Sequence, residues 1–129
     1  MIYHQFIIWQ HDWLVKAYIN TDVSDAREIL DELWSLGADM DTMRKAYKNL
    51  YGGLLNTGLT YTSGWYRETV LVISKTTSAL EFINSLTHEI DHAKNHICRC
   101  QGIDLETEEA SYFSGGLARD LFPHVKHLL

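Results

Sequence analysis

The sequence contains little proline, little cysteine and no excess of basic residues. Its 129 residues include one proline and two cysteines, and 17 acidic residues against 11 lysines and arginines give a formal net charge of −6. The large aromatic and aliphatic share excludes a disordered chain, a collagen-like repeat and a coiled coil. Binding to a nucleic-acid backbone depends on clustered lysine and arginine, so we expect no nucleic-acid partner.

Long apolar runs and leader-like segments are also missing. No uninterrupted apolar stretch approaches the roughly 20 residues that a membrane span needs, and the first residues lack the basic and apolar regions of a signal peptide. We therefore expect a cytoplasmic protein with no membrane partner. The thiols of Cys98 and Cys100 point in different directions on a predicted helix. We expect them to be free, as in a reducing compartment, with soft-metal binding as the alternative.

The patterns that are present predict one α+β domain over residues 1–129, with no repeat or linker. Alternating apolar residues predict two β-hairpins, the first from strands 3–9 and 13–19 and the second over 58–74. The run Val70–Ile73 is typical of a central strand that is buried on both faces. Apolar residues at helical spacing predict helices over 24–36, 41–51, 79–100 and 105–122. We expect a mixed or antiparallel sheet of about four strands packed on about four helices.

Capping residues mark the ends of these predicted helices. Ser24 is suited to cap the first helix and Gly37 to follow its last residue. Ser78 and Glu81 have the spacing of a capping box at the start of the third helix. Asp104 is the expected cap of the fourth helix.

The third predicted helix carries the segment His88-Glu89-Ile90-Asp91-His92, which is a His-Glu-x-x-His motif. Residues i and i+4 of a helix lie one above the other, so His88 and His92 can offer imidazole nitrogens to one metal. Zn²⁺ suits such ligands, and Glu89 is placed to take a proton from a metal-activated water. The two histidines project roughly opposite the apolar stripe of the same helix. The alternative interpretation of this motif is a solvated helix face.

A catalytic zinc site needs a third protein ligand and keeps one position for water. The fourth predicted helix offers Glu106, Glu108 and Glu109 for this role. His96 lies on the same side as the motif, but three histidines at i, i+4 and i+8 of a straight helix cannot all reach one metal. We expect His96 to be a supporting or surface residue, and His124 to be solvated like most residues of a terminus.

A strand, a His-Glu-x-x-His helix and a following Glu-x-x-(Ala/Ser) helix resemble the gluzincin metallopeptidases, over about residues 65–122. The segment Glu108-Glu109-Ala110-Ser111 supplies the second motif. The resemblance implies His88, His92 and Glu108 as ligands of Zn²⁺ and Glu89 as general base, with Glu109 as the alternative third ligand. The short spacing between the two motifs is similar to that of the minigluzincins and of small zincin-like proteins from phages and integrated elements.

The sequence departs from the gluzincin pattern at one place. The position after Ser111, where the family often has an acidic residue directed at a metal-bound histidine, holds Tyr112. Asp91 and Asp120 are the remaining candidates to orient an imidazole. Candidates to stabilise an oxyanion are Tyr112 and two further tyrosines, Tyr61 and Tyr66.

These observations predict a zinc-dependent, metallopeptidase-like protein that hydrolyses a peptide or protein substrate. We expect an extended peptide to pair with a sheet edge. The alternative is a non-catalytic protein-interaction module with a structural or vestigial metal site. In that case the aromatic N-terminal hairpin, with Trp9 and Trp13, binds a partner, and an exposed apolar patch there favours self-association. The sequence leaves the oligomeric state open.

Overall fold

A four-stranded mixed sheet lies at the centre of the molecule. A computed structural model describes residues 1–129. The strands are β1 (Ile2–Ile8), β2 (Trp13–Thr21), β3 (Gly58–Ser63) and β4 (Glu68–Ser74). The α-helices are α1 (Ala26–Ser35), α2 (Met40–Tyr51), α3 (Ala79–Gln101) and α4 (Glu108–Val125). The predicted α+β class, with four strands and four helices, is confirmed.

The strand order is β1-β2-β4-β3, so β1 and β3 form the two edges of the sheet. Each predicted hairpin is confirmed, because β1 pairs antiparallel with β2 and β3 pairs antiparallel with β4. The two hairpins meet at the centre, where β2 and β4 run parallel and Ala17 lies opposite Leu71. The central position of β4 accounts for the apolar run Val70–Ile73, which is buried on both faces as predicted.

Two hydrophobic clusters cover the two faces of the sheet. Alternate residues of β2 point to opposite faces, because successive side chains of a strand alternate. Val15 and Ile19 join the larger cluster under α3 and α4, whereas Tyr18 joins the smaller cluster under α1 and α2. The molecule is therefore a three-layer arrangement in which the helix that carries the motif packs directly on the sheet. No helix combines the length and apolar character that crossing a membrane requires.

The cap predicted at Ser78 is confirmed, but the return hydrogen bond of a capping box, from the Ser78 backbone N–H to the Glu81 side chain, is not formed. The Ser78 hydroxyl oxygen accepts a hydrogen bond of 3.1 Å from the backbone N–H of Glu81, and Gly102 ends α3 in the left-handed conformation with φ of 69°. Gly37 follows α1 with φ of 86°, as expected. The cap expected from Ser24 is wrong, because α1 begins at Ala26 and the carboxylate of Asp22 accepts the Ser24 N–H in the preceding 3₁₀ turn.

The fourth helix begins later and ends later than predicted. The Thr107 hydroxyl accepts the backbone N–H of Ala110 and caps α4, whereas the Asp104 side chain accepts the N–H of Glu106 within the connecting turn. Thr107, three residues after Asp104, therefore caps the helix in its place. The helix continues through Pro123, where the missing proline N–H removes one hydrogen bond of the last turns.

The tryptophans divide between the core and the surface. Trp13 is buried, with its indole N–H donating to the Thr69 hydroxyl over 2.9 Å, so it takes no part in the exposed patch of the alternative hypothesis. Trp9 is 81% exposed, in agreement with that prediction. Trp34 is 61% exposed, although it follows Leu30 at a spacing of four residues, at the margin of the apolar face of α1. The buried face of α1 consists of Ala26, Ile29 and Leu33.

Candidate metal centre

His88 and His92 converge on the exposed side of α3. Their Nε2 atoms lie 3.1 Å apart, and their rings stand edge to face with an interplanar angle of 82°. Two nitrogens that bind one tetrahedral zinc at 2.0–2.1 Å would lie about 3.3 Å apart. The helix therefore presents two imidazole nitrogens at close to the separation that a shared metal ion needs.

The side chain of Glu89 lies beneath the edge strand β3. Only 3% of the residue is exposed, and its Oε1 atom accepts a hydrogen bond of 2.9 Å from the Thr60 hydroxyl. The same hydroxyl lies 3.4 Å from the Glu89 backbone carbonyl. Thr60 thus joins the motif helix to the edge of the sheet and fixes one carboxylate oxygen.

Gly58 allows β3 to approach this carboxylate closely. A Cβ atom added at Gly58 would lie 2.5 Å from the carbonyl oxygen of Val72 and 2.8 Å from Oε2 of Glu89. Both distances are shorter than van der Waals contact, so any larger residue would force the strand or the carboxylate to move. Glycine is therefore required where β3 crosses Glu89.

His96 is held against β3 by a chain of hydrogen bonds. Its Nδ1 atom lies 3.2 Å from the Thr62 hydroxyl, and that hydroxyl lies 2.9 Å from the hydroxyl of Thr69, which accepts the indole N–H of Trp13. Partial burial, followed by the positive charges of His92 and Arg99, lowers the pKa of His96. One ring nitrogen of His96 is therefore engaged with the sheet.

The two aspartates expected to orient an imidazole have other contacts. The carboxylate of Asp91 forms a 2.9 Å ion pair with Lys94, and the hydrogen bond from Lys94 holds the pKa of Asp91 below its usual value. Asp120 lies on α4, with its carboxylate 3.7 Å from Arg119. Neither is hydrogen-bonded to the histidines of the motif, whose rings instead contact each other.

The structure does not bring Glu108 or Glu109 to the histidine pair. Helix α3 continues through residues 93–101 beyond the motif, which corresponds to about 13 Å of rise along the helix. Only then does the chain turn, and Glu108 is the first, exposed residue of α4. No three His, Cys, Asp or Glu side chains are grouped to hold one metal ion. Two of the predicted ligands therefore lie together, and the third lies apart from them.

Three residues near the motif were missed by the analysis of the sequence: Gly58, Thr60 and Thr62. The two threonines are two positions apart on a predicted strand, and this spacing places them on one face. Tyr61, between them, packs instead on the cluster under α1 and α2. It therefore lies on the opposite face from α3, so the structure does not support its assignment as an oxyanion-stabilising residue.

Comparison of the chain with protein-family models, with curated proteins and with solved structures gives no match. The resemblance to the gluzincins thus rests on the residues of the two motifs and on the order of the elements that carry them.

Proposed function

We propose that this chain is a zinc-dependent, metallopeptidase-like protein that acts on an extended peptide. The observation that carries the proposal is the 3.1 Å separation of the Nε2 atoms of His88 and His92 on the exposed side of α3. These two imidazoles would hold the ion. When bound, Zn²⁺ would polarise a carbonyl group and lower the pKa of a water molecule.

Glu89 acts as the proton acceptor in this proposal. It follows His88 directly in the chain, and a carboxylate at this position is suited to general base chemistry. The hydrogen bond from Thr60 engages Oε1, which leaves Oε2 as the atom to receive and release the proton. Thr60 fixes the orientation of the carboxylate, and Gly58 leaves the space that the carboxylate occupies.

The third ligand in this proposal is Glu108. Its carboxylate is exposed at the first turn of α4, and it joins the histidines only when that turn and the preceding loop move. Glu109 is the alternative, one position further along. A third donor is needed for tight zinc binding, because two imidazoles alone bind a divalent ion weakly.

The edge strand β3 is the proposed binding place for the peptide. Its outer side has no partner strand, so its free backbone N–H and C=O groups can pair with an added strand. Thr60 connects the same strand to Glu89. A peptide paired with β3 therefore passes beside the motif, which supports peptide rather than small-molecule substrates.

Metal content is the direct test of the proposal. Tagless protein is incubated with zinc, freed of excess metal and analysed for its elements, beside His92→Ala and the matched control His127→Ala. About one zinc per chain is expected, with loss only in His92→Ala. An absence of zinc in the unaltered protein would refute the metal centre.

Two further variants separate the roles of the acidic residues. Glu89→Gln is expected to retain zinc and to lose hydrolysis of a peptide library, because the amide cannot accept the proton. Glu108→Gln is expected to weaken zinc affinity by more than the about 10–100-fold that loss of an outer-shell partner costs, because a direct ligand is removed. Glu109→Gln is expected to stay near the unaltered value. A larger loss of zinc affinity in Glu109→Gln than in Glu108→Gln would assign Glu109 as the ligand. Unchanged zinc affinity in both variants would exclude both residues as ligands.

One observation favours a second candidate function, a non-catalytic protein-interaction module. The carboxylate of Glu89 is almost fully buried and already hydrogen-bonded to Thr60, as a structural acid would be. In this case Glu89→Gln lowers the free energy of unfolding but changes no activity. Zinc binding without any cleavage of a peptide library would favour this module over a peptidase.

A further inference from the structure

A second candidate surface lies on the side of α4 that faces β1. A groove of about 980 Å³ separates the edge strand β1 from this helix, and none of the residues that line it belongs to α3. The strand side includes the exposed indole of Trp9, and the helix side includes the exposed phenol ring of Tyr112, which is 75% exposed. Large exposed aromatic side chains beside a groove are typical of interaction surfaces.

Two glycines in the middle of α4 have no packing role within the chain. Gly115 and Gly116 both line the groove, and a Cβ atom added at either would meet nothing within 4 Å. Glycine in a helix interior destabilises the helix relative to alanine. A single copy of the chain therefore gives no structural reason for these residues, whereas close approach of a second backbone or ring does.

The groove side of α4 has a symmetric pattern about its middle. Glu109, Tyr112, Gly116 and Arg119 recur at i, i+3, i+7 and i+10 and therefore share one face of the helix. We call these four residues the α4 stripe. If a second α4 lies antiparallel with its centre at Ser114, Glu109 faces Arg119 and Tyr112 faces Gly116. Each of these contacts then occurs twice, as a two-fold axis requires.

We propose that the α4 stripe pairs two copies of this chain about a two-fold axis. The two ends of the stripe are complementary in charge, so each carboxylate of Glu109 meets a guanidinium of Arg119. The ring of Tyr112 from each copy fits over Gly116 of the other, where the missing side chain leaves space. Arg119 is free to pair with Glu109 of the other copy, because its side chain is 81% exposed and its one ion-pair contact is the adjacent Asp120 at 3.7 Å.

The adjoining edge of the sheet is compatible with a covered position. Strand β1 has no Lys, Arg, Asp, Glu or Pro, and such residues usually protect a free sheet edge from unwanted pairing. The second copy would shield this edge together with Trp9. A second copy is favoured over an unrelated peptide because the opposed charges and the aromatic–glycine contacts match within the stripe itself.

The experiment measures the mass of the chain in solution by sedimentation equilibrium, between about 1 and 200 µM. A dimer is expected within this range. Glu109→Arg and Arg119→Glu each place like charges opposite each other, and each is expected to weaken dimerisation at least about tenfold. The double variant exchanges the charges and is expected to restore the dimer. Glu106→Arg, an exposed change outside the stripe, is the matched control.

A further variant tests the aromatic–glycine contact without harming the fold. Gly116→Leu fills the space that receives Tyr112 and is expected to abolish the dimer, while the helix content by circular dichroism stays unchanged because the site is open. A monomer mass over the whole concentration range would overturn the proposal. A dimer that the single charge variants leave intact, or that the double variant does not restore, would also overturn it. A monomer that binds an extended peptide along β1 would assign the groove to that ligand instead.

Discussion

The hydroxyl of Thr60 donates a hydrogen bond of 2.9 Å to the carboxylate of Glu89. This contact links the edge strand β3 to the middle of α3 and supplies a neutral donor to a carboxylate that is almost fully buried. A buried acid that loses its donor destabilises a fold strongly. The position of the sheet edge and the orientation of the acid in the motif are therefore set by the same interaction.

Replacement of Thr60 tests this relationship. Thr60→Val removes the donor but keeps the shape, and we expect a loss of about 1–3 kcal/mol in the free energy of unfolding. Thr60→Ser keeps the hydroxyl and should lose less than half as much. Both values come from urea denaturation at neutral pH. Equal losses in the two variants would show that packing of the Thr60 methyl group, and not the hydrogen bond, carries the effect.

Gly58→Ala should be far more damaging than an ordinary change from glycine to alanine. The added Cβ would lie 2.5 Å from the Val72 carbonyl oxygen, so β3 must shift away from β4 and from Glu89. We expect a loss of more than about 2 kcal/mol in thermal or urea unfolding. Gly115→Ala, measured at a protein concentration low enough for the monomer, is the control: its site is open in the single chain, and alanine there should stabilise α4 by about 0.5–1 kcal/mol. Similar effects at both sites would contradict the close approach at Gly58.

The indole of Trp13 gives a third prediction. Trp13→Phe removes the N–H that donates to Thr69 and shrinks a buried ring, so we expect a loss of about 2–3 kcal/mol in unfolding free energy. Trp9→Phe at the exposed end of the same hairpin should change stability by less than about 0.5 kcal/mol. Chemical denaturation of both variants at low protein concentration provides the comparison. A small effect at Trp13 would mean that the polar chain to His96 adds no stability.

The stacked rings of His4 and His124 predict that the stability of the fold depends on pH. Their centroids lie 3.6 Å apart, and His124 is otherwise exposed, as expected. Burial and then the positive charge of His124 lower the pKa of His4 from its ordinary 6.5, against a smaller opposing effect of Asp120. The unfolded chain therefore binds a proton more readily at this residue than the folded chain does. The contribution of His4 to folding stability is fully present above the pKa that His4 has in the unfolded chain. It is lost as the pH falls from that value through the lower pKa that His4 has in the folded chain.

The measurement is the free energy of unfolding at about pH 7, 6 and 5. His4→Phe keeps an aromatic ring against His124 and should lose less stability over this range than the unaltered chain. Some pH dependence should remain, because the pKa of His96 is also lowered. His127→Phe, at an exposed position of the last turn, should behave like the unaltered chain. An identical pH profile for His4→Phe would exclude His4 as a source of the effect.

Local patterns predicted most of the elements but not their arrangement. The alternation of Val15, Ala17 and Ile19 indicated β2. In the structure these three residues share one face of the strand and pack in the cluster under α3 and α4. Helical spacing cannot tell which side residues at the margin of an apolar face will take, and Trp34 therefore came out exposed. The parallel pairing of β2 with β4 depends on contacts between Ala17 and Leu71, which no local pattern contains.

In the candidate site too, contacts within one helix were predictable from the sequence, whereas contacts between distant segments were not. The proximity of His88 and His92 follows from the geometry of one helix, so the sequence sufficed to predict it. The contacts of Glu89 with Thr60 and Gly58 join segments that are 29 and 31 residues apart, and they depend on how α3 packs on the sheet. The position of Glu108 depends on where α3 stops and α4 starts. Caps compete at that turn, and Thr107 takes the place predicted for Asp104.

The parallel contact between β2 and β4 also has a consequence for the order of folding. Each hairpin closes through neighbouring residues, whereas Val15 must find Thr69 across 54 positions of the chain, and contacts of such high separation slow the search for the native topology. We expect mutations in the hairpin turns to change the folding rate less than mutations at the β2–β4 seam, as stopped-flow kinetics would measure. On a ribosome the first hairpin emerges long before its central partner. Until residue 74 is available, one side of β2 has no native strand to pair with. The first hairpin of the nascent chain therefore exposes two unpaired strand edges, whereas in the complete sheet it exposes only the edge of β1.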